Sequence, residues 1–199
     1  MKLRSLNSLI FLSLFFCPLL GRAASFQLDP AHTQVGFKVS HLTISSVKGE
    51  FKKYEGGFDF DEKSKTLKDL LVKIDATSID TNESDRDKHL RSPDFFNTEK
   101  FSEITFKINS PVKGIKAGKK VKVPGTLTLK GISKPVKLTV LYKGTVKDPW
   151  GNTKLGFEAH TEISRKDYGI TWNKKLDSGG LVVGETVEIQ IEGEAGLKD

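Results

Sequence analysis

The sequence contains one cysteine and one long apolar run, and both lie near its start. The run Leu9–Leu20 includes Cys17 and is about a dozen residues long, whereas a membrane-spanning helix needs roughly twenty. Lys2 and Arg4 precede the run, and the small-x-small sequence Gly21-Arg22-Ala23 follows it. A basic start, a short apolar core and small residues at the end are typical of a secretory signal peptide.

The lack of any other cysteine restricts the compartment in which the mature chain works. We interpret residues 1–23 as the signal peptide, with cleavage after Ala23 or Ala24, so that no thiol remains in residues 24–199. An exported protein without disulfides has to be stabilised by its core alone, which suits a bacterial periplasm. No Pro/Ser-rich linker or change of composition divides residues 24–199. We therefore predict a single periplasmic domain.

The mature chain also lacks a concentrated basic surface. The formal net charge of +7 falls by three when Lys2, Arg4 and Arg22 leave with the signal peptide. A nucleic-acid-binding protein concentrates its basic residues on one element. The densest basic cluster is interrupted by Gly114 and Gly118, and it consists of Lys113, Lys116, Lys119, Lys120 and Lys122. We interpret this cluster as a solvated hairpin end and expect no nucleic-acid partner.

Helical patterns are scarce, and an alternation of apolar with polar residues dominates instead. Such alternation with a period of two is typical of strands that have one apolar face. It occurs in seven segments: Val35–Val39, Val72–Ala76, Ile104–Ile108, Leu127–Leu129, Leu138–Tyr142, Leu155–Ala159 and Val187–Ile191. Roughly eight strands joined by short turns favour an antiparallel barrel or sandwich, in an all-β fold, over any βαβ arrangement.

The main helical signal is confined to Glu83–Arg91, where acidic residues come first and basic residues last. Pro93 ends this pattern. Leu90 is the only good apolar anchor in it, and a helix this short cannot fill a core. We expect one short helix that lies across the rim of the strands, with Phe95 and Phe96 turned toward whatever lies beneath.

The interior of the predicted barrel has two interpretations. A barrel of about eight strands is just wide enough to be filled by its own side chains or to hold one slender ligand. The apolar phase of each strand supplies the residues expected to point inward: Phe37, Val39, Phe51, Phe58, Phe60, Val72, Ile74, Phe106, Leu127, Leu129, Val140 and Phe157. The pattern alone leaves a packed core and a lipid tunnel as equal alternatives.

The sequence is poor in the arrangements that carry chemistry. None of its four histidines, His32, His41, His89 and His160, has a second histidine at the spacing H-x-x-x-H, and the mature chain has no cysteine to complete a metal site. The serines are not set in a G-x-S-x-G elbow, and the glycine-rich segment 114–119 is one residue too short for a phosphate-binding loop. We therefore expect no catalytic residue, no metal and no cofactor.

Short motifs in a fixed order give the chain a family resemblance. They are D-P-A-H-T (29–33), V-G-F-K-V-S-H-L (35–42), V-K-G-E-F (47–51), S-I-D-T (78–81), R-D-K-H-L-R-S-P-D-F-F (86–96), I-T-F (104–106), G-T-L-T-L-K-G (125–131), K-P-V (134–136) and I-S-R-K-D-Y-G-I (163–170). In this combination the chain resembles the YceI-like proteins over essentially its whole mature length.

The resemblance implies an extended, antiparallel, eight-stranded lipocalin-like barrel in the periplasm, with one short helix near the rim. It also implies that the lumen holds a long-chain polyisoprenoid, either an isoprenoid quinone or a polyprenyl phosphate, which the protein binds, stores or transports without chemistry of its own. A carrier of other amphiphiles, such as a fatty amide or a lipophilic drug, is the alternative, and a lipid-modifying enzyme is a third. Transient contact with a membrane is an expected interaction, and homodimerisation stays open.

Given a lipid tunnel, two groups of residues near the rim gain candidate roles. Phe95 and Phe96 would cap the tunnel or contact the lipid chain near its end, or, as an equal alternative, both rings would pack only on barrel side chains. Arg86, His89 and Arg165 would meet a polar head group or serve structural roles. For Arg165 the structural alternative is a buried ion pair with a carboxylate, namely Asp167, Asp87 or Asp94, and we favour that pair.

Overall fold

The computed structural model describes residues 23–175 and 180–198, so the predicted signal peptide lies, apart from Ala23, outside the described residues. The described chain is built from strands, one α-helix and two 3₁₀ turns. The strands are β1 (Ala24–Leu28), β2 (Gln34–His41), β3 (Ser45–Phe51), β4 (Tyr54–Asp61), β5 (Thr66–Asp75), β6 (Ile79–Asp80), β7 (Glu103–Lys107), β8 (Val112–Lys113), β9 (Lys120–Leu129), β10 (Ile132–Lys147), β11 (Thr153–Ser164) and β12 (Val183–Leu197). The helix is α1 (Ser84–Arg91), and the 3₁₀ turns are Ala76–Ser78 and Arg165–Tyr168.

The strands form a closed antiparallel barrel. β12 pairs with both β1 and β2, so β1 and β2 together fill one position of the ring. β4 pairs with β1 and β3 pairs with β2, so β3 and β4 together fill the next position. The ring continues through β5, β7, β9, β10 and β11 back to β12, which makes eight positions. β6 and β8 add short pairings to β3 and β5. The prediction of an eight-stranded antiparallel barrel with one helix is confirmed.

Alternation along each strand separates the interior of the barrel from its surface. In β9, for example, Val123, Leu127 and Leu129 are buried. Lys120 and Lys122, at the start of the same strand, are exposed. Gly125 lies in the same inward phase, and a methyl group there would collide with the ring of Phe106 on the neighbouring strand. The small residue thus makes room for a large one across the strand pair.

One strand departs from strict alternation. The register between β4 and β5 shifts between Gly57 and Asp59, and Asp69 adopts a positive φ of 51°. These features are those of a β-bulge, which inserts one extra residue into a strand. As a consequence Leu67 and Leu70, three residues apart, both line the barrel interior.

The barrel has two ends that differ in what covers them. At the helix end lie α1, the β2–β3 turn (42–44) and the described parts, 165–175 and 180–182, of the segment that joins β11 to β12. At the far end lie the β4–β5 turn (62–65), the segment 108–119 and the β10–β11 turn (148–152). Within the described residues, no helix has the length and apolar character needed to cross a membrane.

Candidate ligand-binding cavity

The barrel encloses a cavity of about 390 Å³, so its interior is not filled by its own side chains. This volume lies within the range of ligand pockets, roughly 300–1,000 Å³. The lining includes every side chain expected to point inward, namely Phe37, Val39, Phe51, Phe58, Phe60, Val72, Ile74, Phe106, Leu127, Leu129, Val140 and Phe157. Phe95, Phe96, Arg86, His89 and Arg165 line it as well. Their contact with a ligand stays a prediction.

The far end of the cavity is sealed around Tyr142, which is only 2% exposed. Its ring meets the ring of Phe60 edge to face at a centroid distance of 5.2 Å. Its hydroxyl donates to Glu62 Oε2 at 2.8 Å and lies 2.7 Å from Thr145 Oγ1. Ile115, from the segment that crosses this end, is buried beside them. These contacts cover the far end of the cavity.

The electrostatics of the far end keep this network intact. Burial, reinforced by the nearby Glu62 carboxylate, raises the pKa of Tyr142, so the phenol stays protonated and can donate. Burial also raises the pKa of Glu62, but the hydrogen bonds from Lys65 and Tyr142 outweigh that effect and hold it below its usual value. Glu62 is therefore an anion that accepts, which gives a charge-assisted hydrogen bond.

At the helix end, α1 is fastened to the segment 77–81, chiefly through Thr81. The Glu83 carboxylate caps the helix by accepting from the backbone N–H groups of Asp85 and Arg86. Buried Asp87 accepts from the backbone N–H of Thr81 at 2.9 Å, and Arg86 Nε donates to Thr81 Oγ1 at 2.7 Å. Arg86 also donates to the Thr81 carbonyl at 2.8 Å. The side chain of Arg86 thus has a structural role in addition to lining the cavity.

An aromatic cluster closes part of the helix end. The rings of His89 and Phe95 lie 5.0 Å apart, and Trp172 lies 5.0 Å from His89 and 5.2 Å from Phe95. Phe96 meets the barrel residue Phe51 edge to face at 5.8 Å. The two adjacent phenylalanines therefore lie at the helix end of the cavity and pack on neighbouring aromatic side chains, while a contact with a lipid stays a prediction. Trp172 was missed, because its segment carries no alternation that would mark it as inward.

Arg165 is buried at the same end, with only 3% of its surface exposed. Its guanidinium donates to four backbone carbonyls: those of Gly184, Ile170 and Trp172, each at 2.8 Å, and that of Val183 at 3.3 Å. Burial lowers its pKa, and the charge of Glu185 opposes that effect. The side chain holds together the two arms of the segment that joins β11 to β12.

The favoured ion pair of Arg165 was wrong. Within the described residues Arg165 forms no ion pair with Asp167, Asp87 or Asp94. Asp87 accepts from Thr81 instead, and Asp94 Oδ2 lies 3.0 Å from His89 Nε2. The closure of the loop on itself supplies the carbonyl partners, and no sequence pattern announces such a closure. Arg165 lines the cavity, and among the described residues no carboxylate forms an ion pair with it, although the charge of Glu185 acts on it.

The opening of the cavity is found by following the exposure of its lining. At the far end the lining residues, such as Tyr142, are buried, whereas Ser40 at the helix end is exposed and lines the cavity as well. His41, Val182 and Val183 are half-buried lining residues beside it. We take this partly exposed part of the lining, Ser40–His41 and Val182–Val183, as the entrance for a ligand and call it the mouth.

A group of possible metal ligands lies on the outer wall. The ligand atoms of Asp29, His32 and Glu194 come within 4.8 Å of one another. Lys154 Nζ, however, lies 2.7 Å from Asp29 Oδ2 and pairs with its charge. The hydrogen bonds from Lys154 and His32 lower the pKa of Asp29 to about 2. The group is therefore already a wall contact between the β1–β2 turn and the strands β11 and β12.

Comparison with known proteins decides the family. The model of the YceI-like domain matches residues 26–195, which reach from β1 to β12. The chain belongs to the YceI-like family. Protein YceI of Escherichia coli O157:H7 is 41% identical to it over 192 residues, which cover 96% of this chain and 97% of that protein.

Two solved structures show the same fold. The crystal structure of the Campylobacter jejuni YceI protein superposes with a TM-score of 0.68 at 38% identity, covering 86% of this YceI-like chain and 97% of that one. A polyisoprenoid binding domain from Saccharophagus degradans superposes with a TM-score of 0.63 at 19% identity, covering 88% and 99% of the two chains. The second likeness is one of fold, because its sequence identity is low.

Proposed function

We propose that this YceI-like protein binds a long-chain polyisoprenoid in its barrel and stores or carries it through the periplasm, without chemistry of its own. The observation that carries the proposal is the apolar cavity in the barrel, whose lining is buried at Tyr142 and includes the exposed Ser40 at the mouth. Burial of a chain in such a lumen removes apolar surface from water along its whole length. The polyisoprenoid-binding neighbour with the same fold supports this ligand class.

The polar residues of the lining orient the proposed ligand. Arg86, His89 and Arg165 all lie at the helix end, whereas the polar hydroxyl of Tyr142 at the far end is already bound to Glu62. Within the described residues, the lining contains no aspartate or glutamate. The tail of the lipid would therefore point to the far end, and a quinone ring or a phosphate would lie at the helix end. A phosphate would complement the charge of Arg165 best.

The energetics of carriage depend on where the lipid comes from. Transfer from water, at about 0.8 kcal/mol per CH₂, would make the binding of a forty-carbon chain effectively irreversible. A polyprenyl lipid, however, leaves a membrane that already covers it. Moving it into the lumen gains only differences in packing and costs chain entropy. The exchange is then close to balanced, as reversible carriage requires, and the rigid rings of the lining limit the entropic cost.

Native mass spectrometry tests the proposal. The mature protein would be purified from the periplasm of a bacterial host without detergent, and bound species would be extracted into organic solvent. We expect an adduct whose fragments differ by isoprene units, which also gives the chain length. An adduct of a fatty amide would establish the amphiphile carrier instead. A folded protein with a clean apo mass, even after incubation with polyprenyl phosphate and quinone, would contradict the proposal.

The enzymatic alternative needs a separate measurement. The purified protein would be incubated with a polyprenyl phosphate and with an isoprenoid quinone, and both lipids would be analysed for conversion. We expect the lipids to be recovered unchanged. Turnover that disappears in the His89→Ala variant would contradict a purely binding role.

A further inference from the structure

The β2–β3 turn presents an apolar side chain directly beside the mouth. Ile44, at the tip of this turn, is 85% exposed, although burial of an isoleucine is favourable. The turn follows Ser40 and His41, which line the mouth. Its backbone is joined to the neighbouring strand end, because His41 pairs with Val183 and the N–H of Leu42 donates to the carbonyl of Val182 at 2.9 Å.

The conformation of the tip is unusual and held in place. Leu42 and Thr43 both have positive φ values, 53° and 62°, in the region that residues with a Cβ rarely adopt, and β-branched ones least of all. The N–H of Ile44 donates to the His41 carbonyl at 3.3 Å, and the hydroxyl of Ser45 donates to the same carbonyl at 3.2 Å. Backbone strain of this kind persists where the surroundings enforce it, and it is concentrated at functional sites.

The charges around the tip favour an anionic surface. Lys174 and Lys175 are exposed in the segment whose backbone pairs with Val182, and they form no ion pair with a described residue. The nearest acids along β12 are already paired, Glu185 with Lys166 and Glu188 with Lys38. Basic residues beside an exposed apolar side chain are the combination that binds the interface of a membrane with anionic lipids.

We propose that the β2–β3 turn docks on the surface of a lipid bilayer with anionic head groups, and that Ile44 inserts into its interface. Docking places the mouth on the membrane, so that a lipid passes between bilayer and lumen without crossing water. This inference rests on the proposed function, because a membrane is where a polyisoprenoid is found. It adds the surface by which the carrier meets its source.

The far end offers a matched control. Trp150 in the β10–β11 turn is 84% exposed, and its turn is held by Asp148, whose Oδ1 accepts from the N–H of Trp150 at 2.9 Å and from that of Asn152 at 2.8 Å. Tryptophan is a strong membrane-interface residue. Docking through Trp150 would, however, turn the sealed end toward the bilayer. Docking through Ile44 and docking through Trp150 would therefore turn opposite ends of the barrel toward the bilayer.

The test compares the wild-type mature protein with Ile44→Ser and Trp150→Ser. Flotation with vesicles of phosphatidylcholine, with and without phosphatidylglycerol, measures docking. Extraction of a fluorescent polyprenyl phosphate from such vesicles measures lipid transfer. We expect Ile44→Ser to reduce both about tenfold, as the loss of one inserted isoleucine would. We expect Trp150→Ser to match the wild type, and phosphatidylglycerol to strengthen the docking of both.

Three results would overturn the inference: Ile44→Ser equal to wild type in both assays, Trp150→Ser impaired as strongly, or no flotation of the wild type. Delivery of the same probe from detergent micelles separates this inference from the proposed function. If the probe binds from micelles but docking does not depend on Ile44, only the docking surface is wrong. If the probe does not bind at all while flotation still depends on Ile44, the ligand is wrong and the docking surface stands.

Discussion

The two ends of this barrel use buried polar groups in different ways. At the far end the side chains of Tyr142, Glu62 and Thr145 form hydrogen bonds with one another. The Glu62 carboxylate accepts from the hydroxyls of Tyr142 and Thr145. At the helix end Arg165 donates four of its five N–H groups to backbone carbonyls, and among the described residues it forms no ion pair. A closed network suits a permanent seal. The positive charge of Arg165 suits an end that accepts an anionic head group.

The ends also differ in the parts of the chain that cover them. The far end is covered by the segment 108–119, where the N–H of Ile115 donates to the carbonyl of Lys65 and that of Gly118 to the carbonyl of Tyr142. The helix end is covered by α1 and by residues 165–175 and 180–182, which are joined to the barrel through hydrogen bonds at Thr81, Val183 and Gly184. Hydrogen bonds therefore hold the covering segments at both ends. The ends differ in the groups that supply these bonds.

The largest effect is expected from charges placed in the lumen between the ends. In the double variant Phe106→Asp with Leu129→Asp, two carboxylates would face an apolar cavity, where they would repel a lipid chain and be poorly solvated. We expect lipid retention to be abolished, measured as occupancy by native mass spectrometry. Lys119→Glu, an exposed change at the far end, should retain the wild-type occupancy. A folded double variant that retains lipid at the wild-type level would show that the lumen does not hold it.

The next largest effect is expected at the helix end. Arg165→Lys keeps the charge but cannot reach four carbonyls, so several buried acceptors would lose their donor. We expect the free energy of unfolding to fall by about 3 kcal/mol, measured in urea, together with faster release of lipid. Lys166→Gln is the matched control, because its exposed pair with Glu185 contributes at most about 1 kcal/mol. Equal stabilities of the Arg165→Lys variant and the wild type would remove the structural role of Arg165.

A smaller effect is expected at the far end. Tyr142→Phe removes the hydroxyl that donates to Glu62, and the free energy of unfolding should fall by about 1–2 kcal/mol. The occupancy of lipid should not change, since the seal is set by the aromatic ring. Tyr168→Phe is a suitable control, because the hydroxyl of that buried tyrosine makes no hydrogen bond to a described residue. Loss of lipid in Tyr142→Phe at full stability would reverse the roles assigned to the two ends.

The smallest effect is expected on the wall, away from both ends. The pKa of Asp29 is lowered from 3.8 to about 2, chiefly by its hydrogen bond with Lys154. A lowered folded-state pKa stabilises the protein above the ordinary value of 3.8, and this contribution is lost as the pH falls toward 2. For Asp29→Asn we expect lower stability at neutral pH. We also expect stability to fall less steeply than in the wild type as the pH drops from 3.8 to about 2. Thermal unfolding as a function of pH measures both. An unchanged pH profile would mean that this pair does not contribute.

The sequence predicts the walls of this site far better than its ends. Residues such as Phe106 and Val140 follow from a period of two, because pairing of extended strands forces alternate side chains to one face. The bulge at Asp69 breaks that rule, and for this reason Leu67 and Leu70 were not identified as lining residues. Loops obey no such period.

The helix end shows what loops withhold from sequence analysis. Trp172 and Val182 line the cavity from an irregular segment, and neither position is marked by any alternation. The partners of Arg165 depend on how that segment folds back, which brings backbone carbonyls from residues up to 19 positions away to its guanidinium. Family motifs identified Arg165 as a residue of interest. They did not predict that its guanidinium donates to backbone carbonyls.

A crystal structure of the lipid-loaded protein is the most direct test of the proposed division between the two ends. The protein would be loaded with a polyprenyl phosphate and crystallised without detergent. We predict continuous density for the prenyl chain along the lumen, with the chain terminus against Phe60 and Tyr142 and the phosphate at the helix end beside Arg165. A head group at the Tyr142 end, or a loaded protein whose lipid lies outside the barrel, would contradict it.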